Sequence, residues 1–261
     1  MGLIEGQVAI VTGAGNELTQ GIARRFAREG AKVVLVDRDQ ATADAAAKAV
    51  PGAEARAADL SDPAAAAALA KDVAAAHGRI DILLNGHHAA LKWDRLADKA
   101  DAAGDFRAAF DMVVLGAVNA MRAVHPVMKA AGGGRIVNLG SIYGPTANEG
   151  VTDAVTMDGA LTMLSRSAGV EWAKDGILVN FLQAAVPDIA AFTDYRAKRA
   201  KSVETLLNNT AMPRLADPVE DVGGAAMFLV SDEACFIVGH RVLADGGQHL
   251  TAAIFEPGAA R

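Results

Sequence analysis

Cysteine is almost absent from this chain. The single Cys235 excludes an intrachain disulfide, says nothing of the compartment, and as a small apolar side chain is expected in the core. No basic run offers a footprint for nucleic acid or an anionic membrane, and 25 Lys and Arg against 31 Asp and Glu leave a net charge of −6. No apolar stretch approaches the length of a membrane span. The opening Met1-Gly-Leu-Ile-Glu5 has neither a basic start nor a cleavage signal, and Gly6 stands where a myristoylation signal needs Ser or Thr. The adjacent His87 and His88, with only a distant Asp, lack a metal-ligand spacing, so no metal is expected. These absences predict a cytoplasmic protein without nucleic-acid or membrane partners.

What the chain does hold is apolar material in short runs. Its 261 residues are 52% hydrophobic with 26 Gly against 8 Pro, the balance of one globular domain rather than a disordered chain. Short Val/Ile/Leu runs alternate with Ala-rich stretches, which predicts a parallel sheet covered on both faces by helices. Strands are expected at 7–12, 32–37, 54–59, 80–85, 135–140, 177–182 and 241–244. Helices are expected at about 18–29, 40–49, 63–77, 106–131, 151–174 and 218–231. Asp62-Pro63 and Asp217-Pro218 are helix-start signals, and the alanine run after Pro63 forms a covering helix because Ala is the best helix former. No repeat or charge block divides the chain.

From Val8-Ala-Ile-Val-Thr-Gly-Ala14 to Leu243-Ala-Asp-Gly-Gly247, with Leu164-Ser-Arg-Ser-Ala-Gly-Val-Glu-Trp-Ala173 between, the sequence resembles the short-chain dehydrogenase/reductase family. The resemblance covers essentially residues 5–247. It implies a single-domain, Rossmann-type α/β fold: a doubly wound parallel sheet of about seven strands with helices on both faces. The domain would span 1–250, residues 184–216 with Pro187 and Pro213 would lie over the active site as a lid, and 251–261 would form a tail. Family members pair their long fourth and fifth helices across a two-fold axis, and here those helices carry the small residues Ala117, Ala120, Gly159, Ala160, Ala168 and Gly169, so a homo-oligomer, a tetramer, is expected. The other reading of those residues is close packing inside the monomer.

The family's glycine loop lets the backbone approach a pyrophosphate at a helix N-terminus. Thr12, Gly13 and Gly15 are present, but the second and third family glycines fall on Glu17 and Thr19. Thr19 is a candidate hydrogen-bond partner for a phosphate. Glu17 adds like charge; at about 6 Å and an effective dielectric near 20 each such pair repels by roughly 2–3 kcal/mol before screening. Asp37 falls where NAD-preferring members hold the adenosine ribose, and Asp59-Leu60 where they contact adenine. Asn85-Gly86-His87-His88 replaces Asn-Asn-Ala-Gly, which puts imidazoles at the nicotinamide end. Further on, Ala184-Ala185 stands for Pro-Gly and Ile189 for a carboxamide-binding Thr. The expected cofactor is therefore NAD(H) in preference to NADP(H), held weakly or not at all. The apolar lid favours a small, largely apolar substrate.

Of the family's Asn, Ser, Tyr and Lys tetrad, Ser141 alone matches; Val113, Ala154 and Asp158 occupy the other positions. General acid catalysis contributes about 10²–10⁴-fold, so a methyl at the Tyr position removes the usual proton donor. Substitute candidates are Tyr143, His87, His88 and Asp158, and Ser141, His88 and Asp158 would make a triad if geometry allowed. Three readings stay open. The chain is an NAD(H)-linked oxidoreductase with replaced proton-handling groups, a non-redox lyase, hydratase or isomerase on the same scaffold, or a catalytically silent ligand-binding or partner subunit.

Overall fold

The computed structural model describes residues 2–87, 94–141, 144, 150–185, 197, 204, 207–208 and 210–251. His88, Tyr143, Ile189, most of the lid and the tail beyond 251 lie outside them. Seven parallel strands form one sheet: β1 (Val8–Thr12), β2 (Lys32–Asp37), β3 (Glu54–Ala57), β4 (Ile82–Asn85), β5 (Gly134–Ser141), β6 (Ile177–Ala184) and β7 (Arg241–Ala244), in spatial order β3-β2-β1-β4-β5-β6-β7. The helices are α1 (Glu17–Arg28), α2 (Gln40–Ala49), α3 (Pro63–His77), α4 (Ala102–Ala109), α5 (Gly116–Ala130), α6 (Thr152–Trp172), α7 (Gly223–Val230) and α8 (Gln248–Thr251).

Alternation along the strands builds the two cores. Ala9 and Val11 of β1 face one layer with Leu18, Ile22 and Phe26 of α1, while Val8 and Ile10 face the other with Val73 of α3 and Met121 and Val124 of α5. Helix starts follow local chemistry. Asp39 and Asp62 cap α2 and α3 by accepting from the amides of Thr42 and Ala64, and Pro63 occupies a first-turn position whose missing N–H leaves no bond unmade. The one long helix expected over 106–131 is interrupted by a π-helical turn at Phe110–Leu115. That wider turn places Val113 and Val114 in an apolar cluster with Met157, Leu161 and Phe181. The helix expected over 218–231 likewise begins with a π-helical turn, Pro218–Val222.

Of the six small residues named for subunit contact, Ala117, Ala120, Ala168 and Gly169 are buried within the protomer, Ala160 is half-buried and Gly159 is exposed. One expectation is corrected. Cys235 is exposed, because the turn Asp232–Ala234 commits its neighbour Ala234 to the core instead.

A buried polar chain crosses the sheet. Asn85 Nδ2 donates to Asn138 Oδ1 at 2.8 Å, and Asn138 Nδ2 donates to Ser165 Oγ at 2.8 Å, tying β4 to β5 and β5 to α6. All three side chains are buried, so breaking the chain leaves polar atoms without water or partner. Asn138→Ala is expected to lower stability by about 2–4 kcal/mol in urea denaturation. A loss below about 0.5 kcal/mol would show that the network adds nothing to the fold.

Candidate functional site

The order of strand addition reverses between β1 and β4, which remain parallel, and at such a switch point the carboxyl ends of the strands open a crevice where α/β proteins take ligands. Backbones meet closely there. Gly13 has φ +71°, and a Cβ on it would stand 2.6 Å from the Gly86 carbonyl oxygen. A Cβ on Gly86 would stand 2.7 Å from both the Thr12 carbonyl and Thr19 Oγ1. Thr19 is fully buried and its hydroxyl donates to the Gly86 carbonyl at 3.5 Å. It braces the loop rather than offering its hydroxyl to a phosphate.

Asn16 caps α1 by accepting from the Leu18 amide at 2.9 Å, and Glu17 opens the helix. Asp37 reaches back from the end of β2, its Oδ2 accepting from the Gly15 amide at 3.0 Å. Asp59 follows β3 and accepts from the Ser61 hydroxyl at 2.7 Å and the Ser61 amide at 3.0 Å. Those bonds, with Arg38 and His87 nearby, hold its carboxyl below the ordinary range. Leu60 is buried and its carbonyl accepts from Asn119 Nδ2 at 2.9 Å, so Asn119 fixes this turn. Asn85 is buried; its Nδ2 donates to Asn138 Oδ1 at 2.8 Å, while its Oδ1 has no partner among the described residues.

His87 Nδ1 lies 3.1 Å from Thr12 Oγ1, burial pushes the imidazole below its ordinary value, and its charged neighbours are Asp37, Arg38 and Asp59. The ring therefore feels the charges of Asp37, Arg38 and Asp59, the first and last of which are expected on the adenosine side.

Ser141 ends β5 further along the same edge. Asp158 Oδ2 accepts from the Ser141 amide at 3.0 Å, and Gln183 Nε2 donates to the Ser141 carbonyl at 2.6 Å. A Cβ on Gly144 would stand 2.3 Å from Gln183 Nε2 and 2.9 Å from Asp158 Oδ2, so only glycine closes over these groups. Asp158 is 6% exposed, and burial raises its carboxyl to about 7 against the opposing Ser141 amide. Ala154, one turn earlier, is buried and carries no polar side chain. Asp158 thus locks the Ser141 turn and carries an exchangeable proton near neutrality.

Sequence reasoning missed two residues here. Gln183 is buried with its Oε1 lacking a partner among the described residues. Lys99 has a wholly buried side chain, with Nζ 3.1 Å from Asp153 and 3.5 Å from Asp105. Burial opposes its charge, but the two carboxylates prevail and hold the amine above its ordinary value. It pins α4 to the start of α6, next to Ala154. Lys99 carried no recognisable spacing; its partners become neighbours only through the packing of two helices.

A family model described as enoyl-(acyl carrier protein) reductase matches residues 13–249. Oxidoreductase UcpA of Escherichia coli K12 is 36% identical over 259 residues, covering 96% of this chain and 97% of its own. Galactitol 2-dehydrogenase (L-tagatose-forming) of Cereibacter sphaeroides is 36% identical over 250 residues, covering 94% and 95%. Among solved structures, a short-chain dehydrogenase/reductase from Burkholderia xenovorans superposes with a TM-score of 0.86 at 29% identity, covering 96% of this chain and 99% of that one.

The Asp158 carboxyl titrates near 7 when folded and near 3.8 otherwise, so between those values the folded state holds more protons. Its contribution therefore lowers stability as pH rises from about 4 to about 7, by up to about 4 kcal/mol. Asp158→Asn keeps an acceptor for the Ser141 amide and removes the titration. The variant is expected to exceed the parent by about 1–4 kcal/mol at pH 8 and to match it near pH 4 in urea denaturation. Parallel stability curves for the two proteins would show that this carboxyl ionises without penalty.

Proposed function

Since the chain belongs to the short-chain dehydrogenase/reductase family, we propose that it is an oxidoreductase of that family which takes NAD(H) in preference to NADP(H) and handles protons without a Tyr and Lys pair. The observation that carries the cofactor part is the Asp37 carboxylate fastened to the Gly15 amide at the end of β2. A 2′-phosphate at that strand end would meet this negative charge, with Arg38 the neighbouring cation.

The chain's own residues fit the adenosine half. Gly13 and Gly86 let the loops after β1 and β4 meet at backbone distance, which a Cβ on either would prevent, and Gly15 presents its amide to Asp37 beside them. Gly13 and Gly15 would hold the pyrophosphate, Asp37 the ribose, and Asp59 and Leu60 the adenine side, with Glu17 weakening the whole. When bound, the nicotinamide supplies or takes up hydride. Ser141 would orient a carbonyl, its turn held from one side by Asp158 and from the other by Gln183. With Ala154 at the Tyr position, the group among the described residues that can hold a proton beside Ser141 is the Asp158 carboxyl.

That carboxyl also favours a second reading, acid–base chemistry without hydride transfer, as in a lyase, hydratase or isomerase. His88 and Tyr143, the partners expected for it, lie outside the described residues. A relative named for galactitol supports a small hydroxyl- or carbonyl-bearing substrate, broader than the apolar class expected from the lid. No described helix is long and apolar enough to cross a membrane. Homotetramer assembly is part of the proposal, supported by Met163, Val170 and Phe236, which are 59%, 80% and 97% exposed on the protomer.

In calorimetric titration NADH is expected to bind at least about tenfold tighter than NADPH, the effect of roughly 1.4 kcal/mol of repulsion at the 2′-phosphate. Sub-micromolar NADPH binding would overturn the preference, and absence of any binding would move the weight to acid–base chemistry. Simple ketones and secondary alcohols are expected to turn over poorly with either cofactor, since the Asp158 carboxyl recovers only part of the about 10²–10⁴-fold that a Tyr donor contributes. Robust NADH-dependent reduction insensitive to Asp158→Ala would refute this account of the cleft. Light scattering at micromolar concentration is expected to give the tetramer mass; a monomer mass rejects the assembly.

A further inference from the structure

His87 sits in the crevice at the switch point with a bonding pattern that determines which of its nitrogens carries hydrogen. Thr12 is fully buried, and among the described residues its Oγ1 has two polar partners, the Gly86 amide at 3.2 Å and His87 Nδ1 at 3.1 Å. The Gly86 amide can only donate. The hydroxyl hydrogen, with no water to receive it, goes to Nδ1, which must then be the bare nitrogen of the ring. The ring is kept neutral by burial, so its hydrogen is on Nε2. Nε2 lies across the ring from Thr12 and has no hydrogen-bond partner among the described residues. The charges around the ring are Asp37 from the end of β2, Arg38 just beyond it, and Asp59 from the turn after β3. Asp37 and Asp59 are expected on the adenosine side.

Resting on the NAD(H) reading above, we infer that His87 donates from Nε2 to a ribose or phosphate oxygen in the adenosine half of the bound dinucleotide. The chain thereby gains a neutral donor from the loop after β4, opposite a glycine loop in which Glu17 and Thr19 replace two glycines. A neutral donor suits this place: it can bond an anionic oxygen without disturbing the two carboxylates beside it.

The test uses NADH and ADP-ribose as calorimetric probes of the parent, His87→Ala and His87→Gln, with thermal melting to verify folding. The Ala variant is expected to bind both probes about three- to tenfold more weakly, the range for one neutral hydrogen bond. The Gln variant, whose carbonyl can accept from Thr12 while its amide donates, is expected to recover most of the loss. Nitrogen-15 spectra of the parent imidazole should show the Nε2–H tautomer, with Nε2 the nitrogen that responds to ADP-ribose. Unchanged or tighter binding by a folded His87→Ala, or an Nδ1–H tautomer in the parent, overturns the inference while the cofactor reading stands. A parent that binds neither probe overturns both.

Discussion

The close approach of two backbones at Gly13 and Gly86 governs the cleft. A side chain at either position would collide with main-chain atoms of the other strand's loop, at 2.6–2.7 Å. Because both are glycine, Thr12 and Thr19 fill the gap with hydroxyls, Thr12 bonding the Gly86 amide and Thr19 its carbonyl. The crevice floor is consequently main chain and buried hydroxyl, and the first side chain able to rise from it is His87. The position of that imidazole follows from the glycine contact rather than from any preference of its own.

Burial of charge decides the other end. Asp158 and Lys99 are both removed from water, and they respond in opposite ways. Lys99 meets two carboxylates and stays charged, whereas Asp158 meets an amide and no cation among the described residues, so its proton is held to about 7. A lysine at position 158 would need an anionic partner; an aspartate there can shed its charge and use the Ser141 amide as its anchor. The same substitution that removes an ammonium therefore also produces a carboxyl able to exchange protons near neutrality. One residue changes both the field in the cleft and the proton inventory beside Ser141.

Surface pairing matters less for the site. Glu220 bridges Arg25 and Arg28 at 3.2 and 2.7 Å, joining α1 to the π-helical turn before α7, but these groups face solvent. Exposed pairs of this kind contribute about 0–1 kcal/mol each. The buried Asn85, Asn138 and Ser165 chain has no such outlet and holds the strands that carry the crevice.

The architecture was legible in the chain because its signals are local. Alternating Val and Ile runs specify two-faced strands, and β2, β7, α2 and α3 occupy the expected residues. Asp-Pro pairs and glycines mark boundaries through φ and capping, which depend on neighbours in sequence. Position by position, the chain also determined that Ala154 and Asp158 stand one helical turn apart, and that Asp37 ends a strand. The tertiary structure alone decided what those side chains touch. Thr19, expected near a phosphate, donates to the Gly86 carbonyl, and Asn85 Nδ2 donates to Asn138, since a buried polar atom takes a nearby acceptor in space. His87 is held by Thr12, 75 residues away, whose hydroxyl bonds its ring. Lys99 and Gln183 gave no signal, their roles arising from helices and strands that only packing brings together. Contacts among distant residues are set by the fold's geometry, and no periodicity or spacing in the chain encodes them singly.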